Sequence, residues 1–82
     1  MNTESFADVI NEARDGRTVA YIWALMEKAD RLSVPTYEAA RTWFRGTCLP
    51  GVKHLHLLFD ALNLDDTQRR RAIRAARRES AR

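Results

Sequence analysis

Cysteine is nearly missing from this chain of 82 residues: Cys48 stands alone. With no second thiol inside the chain, no internal disulfide staples the fold, a pattern that fits the reducing cytoplasm. Proline occurs twice and glycine three times, too seldom for a turn-rich β architecture or a flexible linker, and Val, Ile and Thr do not dominate. These scarcities favour an all-α domain. No apolar run reaches the roughly 18 residues of a membrane span, so no membrane is expected among the partners. The opening MNTESFADVI has neither a basic n-region nor a long apolar h-region, so no secretion signal is expected.

Reactive constellations are missing too. There is no nucleophile–base–orienter set, no paired carboxylates in a predicted cleft and no Gly-rich phosphate loop. An enzyme is therefore not expected, nor is a cofactor or a small-molecule ligand. Cys48, His54 and His56 are the metal-ligand candidates. Positions 54 and 56 point to different faces of a helix, and the spacing matches no common zinc pattern, so no metal is expected.

What is present is a globular composition, 45% hydrophobic and 30% charged, in one domain over residues 1–82. The net charge of +3 is unevenly placed. Residues 1–40 carry four cations (Arg14, Arg17, Lys28, Arg31) against seven anions, whereas residues 41–82 carry ten cations against four anions (Asp60, Asp65, Asp66, Glu79). This asymmetry suggests a polyanionic partner met by the second half, or simply a solvated basic helix at the end.

Apolar spacing and cap signals predict five helices. The first runs from about 5 to 14 on a Phe6, Val9, Ile10, Ala13 stripe, with Gly16 as its stop. The second starts from Thr18 and ends near 29 or 30. Its Val19, Ile22, Trp23, Met26 and Ala29 stripe is widened by Tyr21, Leu25 and Leu32, which predicts a place in the middle of the bundle. Pro35 and the Thr36 cap open the third helix, which Gly46 closes. Ala40, Trp43 and Phe44 form its inward back, while Tyr37, Glu38, Arg41, Thr42 and Arg45 form an outward face suited to a groove. The fourth runs from about 52 to 62 or 63 on Leu55, Leu58, Phe59 and Leu62. The fifth opens on a capping box, Asp65 with Gln68, and carries a thin apolar face of Ala72, Ile73 and Ala76 among six arginines. The core is expected over about 5–64 and the basic helix over about 65–80.

The stretch ARTWFRGTCLPGVKHLHLLFDALNL, residues 40–64, resembles the Cro/cI-type (lambda-repressor-like, Xre-like) helix-turn-helix family. Trp43, Arg45, Gly46, Pro50, Leu55, Leu58, Ala61, Leu62 and Leu64 fall where that family ends its recognition helix in Trp-x-Arg-Gly, closes the next loop with Pro and adds a Leu-rich helix. The match covers about a third of the chain. The turn before the recognition helix departs from the pattern: it is lengthened, lacks glycine and carries Pro35.

The resemblance implies a compact five-helix bundle and a cytoplasmic, nucleoid-associated transcriptional regulator. Such a protein binds double-stranded DNA, with a homodimer on a palindromic operator. The small size adds the expectation of a phage, prophage or mobile-element repressor without a separate effector domain. It further implies base readout by Tyr37, Glu38, Arg41 and Thr42, with Arg41 as the reader of guanine. Phosphate contacts fall to Arg17, Thr18, Thr36, Arg45, Thr47 and Lys53. Arg70, Ile73, Arg74 and Arg77 on the last helix are open to extra phosphate contacts, to a dimer interface, or to no role beyond solubility. Two alternatives stand beside this. Glu38 and Arg41 have the spacing of an exposed ion pair worth a few tenths of a kcal/mol. The whole chain can also serve as a helical protein-interaction module, adaptor-like or antitoxin-like, whose basic helix binds an acidic protein.

Overall fold

The computed structural model describes residues 4–81; residues 1–3 and 82, included in the single-domain expectation, lie outside the described residues. Five helices follow one another with no strand among the described residues: α1 (Phe6–Arg14), α2 (Val19–Ala29), α3 (Tyr37–Arg45), α4 (Val52–Leu62) and α5 (Asp66–Ser80).

Local chemistry sets most of their ends. Ser5 and Asp8 form a capping box at α1, and Asp65 and Gln68 form the expected one at α5. The hydroxyls of Thr18 and Thr36 accept from the N–H groups of Tyr21 (3.0 Å) and Ala39 (3.1 Å), which satisfies one orphan donor at each helix start. At α4 the cap residue is Gly51, which has no side chain to donate or accept. Left-handed residues close three helices. Asn63 (φ 56°) and Gly46 (φ 84°) do so where the sequence places them. At α1 the left-handed step begins at Asp15 (φ 49°), one residue before Gly16. The guanidinium of Arg17 then donates to the carbonyls of Arg14 and Ala13, both at 2.9 Å, covering the helix end.

The core joins all five elements. α2 packs along α4, α1 along α5, and α3 lies on both α1 and α2. Phe6, Ile10, Ile22, Met26, Leu58 and Phe59 are fully buried, and the rings of Phe6 and Phe59 meet at 6.4 Å. α5 contributes Ala72 and Ala75, both with no exposed surface; Ile73 and Ala76, expected on its inward face, are only half-buried. These small residues let α5 approach α1 closely. α2 is not the central helix its composition suggests. It packs mainly on α4 and α3, leaving Ala20, Tyr21 and Ala24 exposed. Leu32 is 99% exposed. It lies beyond the helix in a turn where the Asp30 carboxylate accepts the N–H groups of Leu32 (3.2 Å) and Ser33 (3.1 Å), and that turn points its side chain outward. No helix among the described residues is long and apolar enough to cross a membrane.

The α1–α5 seam is closed by charge. Arg71 donates to both carboxylate oxygens of Glu4 (2.8 and 2.6 Å) and to Glu12 (2.9 Å). Arg78 bonds the Glu4 carbonyl, and Glu79 accepts the Phe6 N–H at 2.6 Å. The hydrogen bonds and charge of Arg71 hold the Glu4 carboxyl below the usual glutamate pKa. A folded-state pKa depressed in this way contributes stability above the unfolded value, about 4.3, and loses it as pH falls through the folded one. Glu4→Gln is therefore expected to melt lower than the parent at neutral pH. The gap should close between about pH 5 and 3 in thermal melts, and a gap independent of pH contradicts the pairing. A second expectation concerns Gly46, where an added Cβ would sit 3.4 Å from the Ala7 Cβ on a backbone at φ 84°. Gly46→Ala should cost about 1–2 kcal/mol in urea unfolding, chiefly from the left-handed backbone.

Candidate nucleic-acid interface

α3 is two-faced by spacing. Ala40, Trp43 and Phe44 fall three and four apart and are buried, so the opposite side, with Tyr37, Glu38, Arg41 and Arg45, faces solvent. Four side chains from other elements hold the helix. The indole N–H of Trp23 on α2 donates to the carbonyl of Pro35 at 2.8 Å, and its ring meets Tyr37 edge-on at 6.1 Å. The Asn11 amide on α1 donates to the carbonyls of Phe44 (2.8 Å) and Ala7 (2.9 Å). The Arg14 guanidinium lies 5.6 Å from the Phe44 ring centre. The Trp43 ring packs on His54 of α4 at 5.8 Å. The start of α3 is thereby tied to α2 and its last turn to α4 and α1.

On the outward face three of the expected groups form one cluster. Arg41 pairs with Glu38 at 3.0 Å and places its guanidinium 5.8 Å from the Tyr37 ring centre. The exposed ion pair is thus formed in the free protein, at a spacing where such pairs contribute about 0–1 kcal/mol. A partner can exchange it cheaply. Arg45 at the end of α3 and Lys53 in the first turn of α4 are exposed and hold no ion pair among the described residues.

Five other expected residues, Thr42, Thr47, Thr18, Thr36 and Arg17, are engaged inside the fold. The Thr42 hydroxyl turns back to the Ala39 carbonyl at 2.6 Å, and the Thr47 hydroxyl donates to the Thr42 carbonyl at 3.3 Å. Thr18 and Thr36 use their hydroxyl oxygens as caps, and Arg17 directs its Nε and one Nη to the end of α1. Arg70, Ile73, Arg74 and Arg77 stand on α5, whose helical partner is α1. Trp23 and Asn11 carry positioning roles that no local pattern announces. An indole in an apolar stripe reads as core, and the partner of its N–H, twelve residues on, depends on how the turn folds.

Among the described residues no three His, Cys, Asp or Glu side chains gather to hold a metal. His54 lies against Trp43 and Cys48 is exposed. Set beside known protein families, curated proteins and solved structures, the chain matches none.

The Trp23–Pro35 bond makes a direct prediction. Trp23→Phe keeps a ring but removes the donor, leaving a part-buried carbonyl unsatisfied. Stability should fall by about 1–3 kcal/mol. Amide exchange should accelerate in the turn 30–36 and at the start of α3 before it does in α4; uniform acceleration contradicts a local pin.

Proposed function

We propose that this chain is a sequence-specific double-stranded DNA-binding regulator of the Cro/cI-like helix-turn-helix type, a small repressor that occupies a palindromic operator as a homodimer and excludes polymerase. The observation that supports this reading best is the Tyr37–Glu38–Arg41 cluster, exposed on a short helix whose back is buried and whose start is pinned. The residue pattern of 40–64 adds the family resemblance.

In this reading the first turns of α3 enter the major groove. Arg41 releases Glu38 and bonds O6 and N7 of a guanine, for which a planar fork of donors is the matching shape. Glu38, freed, accepts from a cytosine amine, and Tyr37 packs on a thymine methyl or bonds a phosphate. Exchanging an exposed pair for contacts in a dehydrated groove gives specificity, because a wrong base leaves both charges without partners. Arg45 and Lys53 meet backbone phosphates, which set register without reading sequence. The lengthened turn, fixed by the Asp30 carboxylate and by Trp23, sets the docking angle. The resemblance supports a phage, prophage or mobile-element setting.

Selection of bound duplexes from a random library, at moderate and raised salt, tests the proposal. One palindromic consensus should be recovered at both salts, with its half-site spacing reporting the dimer. Arg41→Ala should lose preference at one base pair per half-site, worth about 1–3 kcal/mol. Lys53→Ala should weaken all duplexes alike and lower the salt slope by about 1. Enrichment without consensus that vanishes as salt rises means electrostatic attraction only and overturns the proposal.

A further inference from the structure

The six arginines of residues 69–78 fall into two sets. Arg69 pairs with Asp60, Arg71 with Glu4 and Glu12, and Arg78 with the Glu4 carbonyl, so these three serve the fold. Arg70, Arg74 and Arg77 are exposed, and their guanidinium groups make no hydrogen bond or ion pair among the described residues. Spaced four and three apart, they form one stripe about 10 Å long on the outer side of α5.

Beside the stripe lies an open groove between α5 and the start of α4. Its floor is apolar: Val52 is 77% exposed, and Leu55, Ile73 and Ala76 are half-buried. Ile73 and Arg77 belong both to this floor and to the arginine-lined surface, so the two are continuous. Among the described residues no acidic side chain lines either.

We infer that this groove is a docking site for an acidic amphipathic helix of another protein. The occupant would set apolar residues three and four apart on the floor and glutamates or aspartates against Arg70, Arg74 and Arg77. Charge complementarity selects it. A cation stripe without internal partners calls for an anion, and the exposed valine beside it calls for an apolar group that a phosphate backbone does not offer. A second copy of this chain fits poorly. Twofold antiparallel pairing of α5 with itself brings the two arginine stripes face to face, and like charges repel. The inference is independent of α3: the twofold pairing of the DNA-binding reading would use another surface.

The test is fluorescence anisotropy of the full chain with a labelled synthetic peptide of about 18 residues, leucines repeating every three and four positions and glutamates between them. Companion peptides replace all leucines by serine or all glutamates by glutamine. The acidic amphipathic peptide should bind at physiological salt and both companions should bind far more weakly. Val52→Ser, at an exposed position that leaves the fold intact by circular dichroism, should weaken binding about fivefold. The double variant Arg74→Glu, Arg77→Glu should weaken it about tenfold or more. Arg41→Ala should leave it unchanged, which separates this surface from the α3 face. The inference is overturned if the peptide fails to bind, or if the serine companion binds equally. It is equally overturned if Val52→Ser instead abolishes self-association in sedimentation or weakens duplex binding, since the occupant is then a second copy or nucleic acid.

Discussion

One hydrogen bond, from the indole N–H of Trp23 to the carbonyl of Pro35, governs how the outward helix is presented. The chain between α2 and α3 spans seven residues without glycine, long enough to leave α3 free to pivot. Proline fixes φ at its own position and keeps the preceding residue extended, but it cannot fix the direction of the helix that follows. The indole supplies that direction, bonding the last carbonyl of the turn and packing its edge on the first residue of α3. Asn11 does the same at the other end, where its amide takes the Phe44 carbonyl. Only with both ends fixed does the cluster of Tyr37, Glu38 and Arg41 present one geometry to a partner, which keeps the ordering cost of recognition low.

The α5 helix works under a different constraint. Its small residues Ala72 and Ala75 bring it onto α1, and that closeness lets Arg71 and Arg78 reach Glu4 and lets Glu79 reach the first N–H of α1. A helix that composition marks only as basic is therefore half structural and half surface. The structural half closes the domain; the surface half, Arg70, Arg74 and Arg77, carries cations unused by the fold. α3 and α5 thus offer two chemically distinct faces, one mixed in charge and aromatic, the other cationic beside an apolar floor.

How much of this was legible depended on range in sequence. The hydroxyl caps at Thr18 and Thr36, the Asp65–Gln68 box and the left-handed Gly46 and Asn63 are short-range devices, and they placed the helix ends to within a residue or two. The inward stripe of α3 was equally readable, since spacing alone selects Ala40, Trp43 and Phe44. Features that depend on distant partners were not. Glu4 and Arg71 meet across 67 positions, so no local pattern distinguishes Arg71 from Arg70 or Arg74. Leu32 counted as apolar surface of α2, yet the Asp30 turn sends it into solvent. The Ala75–Ala76 choice on α5 turns on a small rotation about the helix axis, which a stripe of alanines specifies weakly. In the candidate interface, Thr42 and Arg17 looked free because their types suit phosphate and base contact; the fold had already engaged their polar atoms.

The central claim, that the rigid outward face of α3 is the surface that meets duplex DNA, is tested most directly by nuclear magnetic resonance. The isotope-labelled chain would be titrated with a short duplex taken from a DNA-bound fraction, at physiological salt. The account predicts that the amides of residues 36–47 and the side-chain signals of Arg41 shift together and saturate at a fixed stoichiometry, while those of residues 70–77 move little. Shifts confined to α5, or none at all, would contradict it.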